Sequence, residues 1–253
     1  MNSKASVLRL QVESSLATRV ASPFQLRERL HVETVPTGVP PIDLLMGGFP
    51  RGSLTEIYGP LCSGRTSLLV SALASRTEAS EVCALVDAHD SFDPHSAEAA
   101  GVKLEQLLWV RCRNVDRALR ATDLLIQGGG FGLIALDLGD TPPQVVRYIP
   151  MQAWFRFRRA VEHTPTIFLV LEQESNIKTC ASLILGVHTQ QTRWSETARS
   201  NEEIPRLHSP GYLLDGWKIR VEMIRSHAKQ EDRNGADFEA EIKRNIGCSY
   251  RRA

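Results

Sequence analysis

The stretch GPLCSGRTS, residues 59–67, decides how this chain is read. It follows an apolar run, LTEIYG over 54–59, and opens an apolar segment whose spacing predicts a helix from about Thr66 to Arg76. A strand, a glycine-bounded loop and a helix in that order are the context a phosphate loop requires. Glycines let successive backbone N–H groups converge, and the helix N-terminus adds partial positive charge, so main chain alone can hold an anion. Gly59, Pro60, Ser63, Gly64, Arg65, Thr66 and Ser67 are therefore the candidate nucleotide-binding residues, with the Thr66 hydroxyl a candidate magnesium ligand. Arg65 stands where such loops carry lysine. Its planar, forked head keeps the charge but does not fit a channel shaped for an ammonium. Phosphate affinity is expected to survive, and stabilisation of a transferring phosphoryl group to suffer. The bland alternative is a Gly/Ser turn before a helix.

Outward from the loop, short and continuously apolar runs alternate with helical patterns. VCALVDA (82–88), LLWVRC (107–112), GLIALD (132–137) and TIFLVLEQ (166–173) read as strands. Between them the spacing predicts helices near Ser96 to Ala100, over Val115 to Gln127 and over Val145 to Glu162. Strands apolar throughout are covered on both faces, which is the pattern of a doubly wound, mostly parallel α/β sheet. LILGVHTQQTRW (183–194) and WKIRVEMIRSHA (217–228) alternate more, as an added antiparallel edge would. Residues 1–30, with a helical pattern over 5–20, form a separate N-terminal segment, and 31–230 the core. The polar span 195–210 reads as a mobile loop, and the charged tail 231–253 lacks periodicity and is expected to be disordered.

Hydrophobic residues make up 42% and charged residues 23% of 253, with a formal net charge of +1. Any nucleic-acid surface must then be local rather than global. The five cysteines are scattered without a CxxC pair, which argues against a disulfide framework or zinc site. No apolar run reaches membrane-spanning length and no signal-peptide core opens the chain, so a cytoplasmic location is expected.

EIYGPLCSGRTS together with ALVDAHDSFDPHSAEAAGVKLEQLLWV resembles the RecA recombinase family, from about residue 32 through Ala228. The short length is similar to RecA-like proteins such as the ImuA family, encoded beside mutagenic translesion polymerases in bacteria. The resemblance implies a RecA-like phosphate-loop NTPase core with ATP and Mg2+ as cofactors. It implies single-stranded DNA, RecA, a translesion polymerase or further copies of the chain as partners, in DNA repair, recombination and the SOS response. The family's magnesium-associated acidic residue falls on Asp137, for which a cap or turn at a strand end is the other reading. Its catalytic glutamate falls on His89, which cannot offer a carboxylate to orient water; an ordinary loop histidine is the other reading. Asp90, one residue on, is a weak substitute. The adenine-contacting aspartate falls on Asp93, and the base-stacking aromatic on Ser96. The nucleotide-sensing glutamine falls on Gln173, followed by ESNIKTCASL, shorter than a recombinase DNA-binding loop. With lysine, glutamate and aromatic all replaced, the resemblance implies weak or absent DNA-dependent ATPase activity. An active, ATP-dependent, single-strand-binding recombinase is the alternative.

VVRYIPMQAWFRFRRAVEH (145–163) interleaves Arg147, Arg156, Arg158 and Arg159 with aromatic residues that include Trp154. Basic and aromatic side chains together suit single-stranded nucleic acid or a partner protein. The same stretch also reads as an amphipathic helix with core aromatics and solvated arginines.

Overall fold

Strands that are apolar on both faces need helices on both faces, and the chain supplies them. The computed structural model describes residues 33–177, 179–194, 214–226 and 235–241. The expected N-terminal helix and the polar 195–210 loop lie outside these residues. A small entry unit pairs β1 (Thr34–Val35) with β2 (Phe49–Pro50) around α1 (Pro40–Met46). Then come β3 (Ser53–Tyr58), α2 (Arg65–Glu78), β4 (Cys83–Asp87), α3 (Pro94–Ala99), β5 (Leu107–Arg111) and α4 (Val115–Gly128). They are followed by β6 (Leu133–Asp137), α5 (Pro143–Arg147), α6 (Met151–Val161) and β7 (Ile167–Glu172). Three longer strands close the described chain: β8 (Leu183–Trp194), β9 (Leu214–Ser226) and β10 (Gly235–Glu241).

The main sheet runs β10-β9-β8-β3-β7-β6-β4-β5. From β8 to β5 all neighbours are parallel, while β9 and β10 add the antiparallel edge. This is the expected fold class, α/β with a mostly parallel sheet. Period-two alternation sorts each strand's side chains between two cores. Cys83, Leu85, Leu133, Ala135, Leu169 and Leu171 face one core, with Leu68, Leu69 and Leu73 of α2. Ala84, Val86, Ile134, Leu136, Phe168 and Val170 face the other, with Ala118 and Ile126 of α4 and Trp154 and Phe157 of α6.

Two expectations need correction. The helix expected over Val145 to Glu162 is two helices, because Pro150 lacks an N–H and disfavours helical backbone at Ile149 before it. Residues 235–241, expected within a disordered tail, form β10 in antiparallel register with β9, so the sheet extends past the expected core boundary at 230. Its acidic residues had hidden it: Asp237, Glu239 and Glu241 alternate with Ala236, Phe238 and Ala240, of which Phe238 and Ala240 pack against the core, so no continuous apolar run marks the strand.

The register aligns the strand ends that build the site. Asp87 pairs with Asp137, Asp137 with Leu171, and Tyr58 with Glu172. Loops leaving β3, β4, β6 and β7 therefore gather at one carboxyl edge, where open α/β sheets place ligands.

Trp154 is 1% exposed and stacks edge-on against Phe157, which in turn packs on Phe168. Trp154→Ala is expected to cost about 3–5 kcal/mol of stability, read as a shifted denaturant midpoint.

Candidate nucleotide-binding site

The loop after β3 is shaped by its main chain. Gly59 N–H donates to the Glu172 carbonyl at 3.2 Å, and Ser63 N–H to the Pro60 carbonyl at 3.2 Å. Gly64 sits at φ 97°, left-handed, at the start of α2; a Cβ there would meet Ile219 Cδ1 at 2.3 Å. Both the conformation and the space demand glycine. Thr189 of β8 donates from its hydroxyl to the Cys62 carbonyl at 2.6 Å. The antiparallel edge thus props the loop from behind, a role that motif spacing could not reveal. Thr66 is exposed and Ser67 half-buried at the first turn of α2. Ser63 is buried and its hydroxyl has no partner in the protein.

Arg65 turns inward rather than along the loop. It is 6% exposed, and its Nη2 donates to the Gly139 carbonyl at 3.2 Å while Nη1 has no partner. Gly139 N–H donates to Asp137 Oδ1 at 2.8 Å. One peptide neighbourhood therefore joins cation and carboxylate. Burial pushes the Arg65 guanidinium below its usual pKa, opposed first by Asp137 and then by Asp140. Burial pushes the Asp137 carboxyl up to about 6, opposed by the Gly139 N–H and by Arg65. A Cβ on Gly139 would lie 2.9 Å from Asp137 Oδ1 and 3.3 Å from Arg65 Nη1, so no larger residue fits unshifted.

His89 is exposed at the end of β4, and its Nδ1 lies 3.3 Å from the Thr141 hydroxyl. Thr141 is buried, and its carbonyl accepts from Gln173 Nε2 at 3.2 Å. His89 and Gln173 thus meet on one threonine, which the sequence did not flag. Asp87 holds the turn that carries His89, accepting from the N–H groups of His89, Asp90 and Phe92 and from Trp109 Nε1. Asp90 makes ion pairs with Arg111 and Arg113, which hold its carboxyl down at about 2. It does not face water as a free base. Asp93 caps α3, accepting from the N–H groups of His95 and Ser96 at 3.2 Å each and from the Ser96 hydroxyl.

The basic–aromatic stretch divides. Trp154 is in the core, so the expectation that it presents a ring to DNA or a partner is corrected; Tyr148 (86% exposed) and Phe155 (49%) are the accessible aromatics. Arg147 pairs with Glu174 beside a hollow of about 780 Å³ that Gly59, Pro60, Gln173 and His188 also line. Arg156, Arg158, Arg159 and Phe155 line a separate hollow of about 800 Å³ along α6, with Arg156 3.0 Å from Asp123. The structure brings Arg147 to the loop and leaves the other three arginines on α6.

Behind this edge, two glutamates meet in the core. Glu56 accepts from the N–H groups of Asn176 and Ile177 at 2.7 and 3.0 Å and from the Ser175 hydroxyl at 2.9 Å. Glu172, whose Oε2 accepts from Asn176 Nδ2 at 3.0 Å, is pushed well above the carboxylate range by burial and then by Glu56. The short segment after β7 is thereby pinned to the sheet.

Together, the parallel sheet, the helix-opening loop and the acidic strand end define a phosphate-loop α/β domain. The model of the RecA N-terminal domain matches residues 11–141, more than half of the chain. Protein RecA of Leifsonia xyli is 32% identical over 162 residues, 58% of this chain and 45% of that protein. Protein RecA of Deinococcus radiodurans is 29% identical over 179 residues, 64% of this chain and 49% of that one. Protein RecA of Symbiobacterium thermophilum is 38% identical over 111 residues, 43% and 32% of the two chains. The chain belongs to the RecA family. It spans less than half the length of these relatives.

Two predictions test this geometry. Gly139→Ala is expected to destabilise the fold by about 1–3 kcal/mol in thermal melts, through overpacking against Asp137 and Arg65. For Glu172, a carboxyl raised in the folded state binds its proton more tightly there than in the unfolded chain. Its contribution is fully present below the ordinary glutamate value of 4.5 and is lost as the pH rises above it. Denaturant midpoints should therefore fall on alkalinisation with a slope of at most about 1.4 kcal/mol per pH unit from this group, and Glu172→Gln should flatten the profile.

Proposed function

We propose that this protein is a RecA-like DNA-repair accessory factor of the SOS response. It keeps a nucleotide cradle, hydrolyses ATP weakly or not at all, and acts by binding DNA, RecA or a translesion polymerase. One observation carries the reading: the loop scaffold is intact, yet Arg65, its obligatory cation, is buried against Gly139 rather than extended along the cradle. A phosphate group needs the main-chain donors, which remain. Phosphoryl transfer also needs a point charge on the migrating group and a base on the water. The position matching the family's glutamate offers His89, bonded to Thr141. Losing one such contact commonly costs 10² to 10³ in rate, so two losses leave turnover on the order of background.

The partner surface is best sought around Tyr148, Arg147 and Phe155, where aromatic and basic groups reach solvent close to the loop and on α6. Thr66, Asp93 and Gln173 keep their nucleotide-contacting roles only as proposals, as does self-association. The cytoplasm is the proposed location; among the described residues no helix is long and apolar enough to cross a membrane.

The deciding experiment is steady-state phosphate release by the purified full chain with ATP and Mg2+, with and without single-stranded DNA. Release at the level of the buffer control is expected, together with measurable nucleotide binding. Brisk, DNA-stimulated release that Asp137→Asn abolishes would favour the active recombinase instead.

A further inference from the structure

A nucleotide in a loop of this kind ordinarily arrives with a divalent cation, so the residues present must be tested for fit to that ion. The candidate donors are the exposed Thr66 hydroxyl and the Asp137 carboxylate. Asp137 already accepts from Gly139 N–H, and the same glycine's carbonyl accepts from Arg65. A fixed monovalent cation therefore stands at the carboxylate's shoulder. A divalent ion at Asp137 would have to share that carboxylate's field with Arg65 and face its like charge. The site does not fit the metal.

It does fit an anion. Arg65 Nη1 and Ser63 Oγ are both buried and both lack protein partners, and the N-terminal amides of α2 open beside them. A buried hydroxyl without an acceptor is costly, and an oxyanion brought to the loop satisfies that of Ser63. A lysine would behave differently: its flexible stem lets a point charge follow the phosphates and leaves the strand-end carboxylate free for a metal's coordination shell.

We propose that the loop binds nucleotide phosphates without a divalent cation, with Arg65 serving as the resident counter-charge of Asp137 in the metal's stead. The proposal rests on the reading of the loop as a nucleotide site and states how that site is charged. In the metal-free complex the main-chain amides and the Ser63 hydroxyl hold the phosphate, while the guanidinium stays on the Gly139 carbonyl beside Asp137. The chain is then a nucleotide binder whose occupancy does not follow the magnesium concentration.

The test is a titration of the full chain with a fluorescent methylanthraniloyl-ATP, read by anisotropy, in EDTA and in excess Mg2+. Dissociation constants within about threefold of each other are expected. Tighter binding in Mg2+ by more than about threefold overturns the proposal and leaves the nucleotide-site reading standing. No binding in either condition removes both. Arg65→Lys, checked for folding by circular dichroism, is expected to make binding Mg2+-dependent; an unchanged, metal-independent affinity in that variant overturns the role given to Arg65. A third readout is Mn2+ retention, followed by electron paramagnetic resonance. The wild-type protein mixed with ATP should take up no more Mn2+ than ATP alone does, and stoichiometric protein-bound Mn2+ also overturns it.

Discussion

A buried guanidinium has to be answered by an opposite charge and by acceptors for its N–H groups, and much of this molecule's site follows from that requirement. Arg65 is the first residue of α2, so the helix that opens at the phosphate loop is tethered by its own first side chain to the end of β6. Asp137 supplies the charge and the Gly139 peptide the geometry. Loop, helix and strand end are thereby one electrostatic unit. In an arrangement with lysine the same elements would be neighbours without being tied, free to adjust around a nucleotide and a metal. Here the Gly139 peptide, bonded to both side chains, ties them together.

The fold was largely legible because its physics is written in period and composition. Runs such as VCALVDA and GLIALD have no polar face, which forces burial on both sides and hence a parallel sheet with crossover helices. Where the sequence misled, a weaker signal was present. Pro150 interrupts the pattern from Val145 to Glu162, and an X-Pro pair disfavours helical backbone at the preceding residue; the apolar spacing on either side masked it. Strand β10 carried a short signal of its own: Ala236, Phe238 and Ala240 alternate with Asp237, Glu239 and Glu241, and the charge around them masked it. The strand pairs with β9 along one edge, where Arg220 and Lys218 meet Asp237, and Phe238 and Ala240 pack against the core.

The site was legible in its backbone and opaque in its side chains. Glycine spacing between a strand and a helix identifies the cradle, since only that geometry uses those residues. The direction a long side chain takes is a tertiary matter, and nothing in GRTS says that Arg65 points to Gly139. Trp154 shows the same division. Alternation of arginine and aromatic residues describes both a stacking surface and an amphipathic helix, and only the packing against Phe157 separates them. Thr141 could not have been found at all: DTPP reads as a turn, and its place between His89 and Gln173 exists only because β4, β6 and β7 end in register.

The segment after β7 is fixed by the core beneath it. Residues 175–177 are clamped by Glu56 through two amides and a hydroxyl, and the clamp sits on a carboxyl pair sealed in the core. A stretch held this way has little freedom to move as a unit, so it is a poor lever for a nucleotide signal. Gln173, immediately before it, is instead bonded towards Thr141 and lines the same hollow as Gly59, Pro60 and Arg147. Contiguity alone is not coupling; a signal requires an element with two arrangements that the ligand biases. Of the groups at this edge, the exposed Arg147–Glu174 pair has that freedom, being held by long solvated side chains rather than by buried amides.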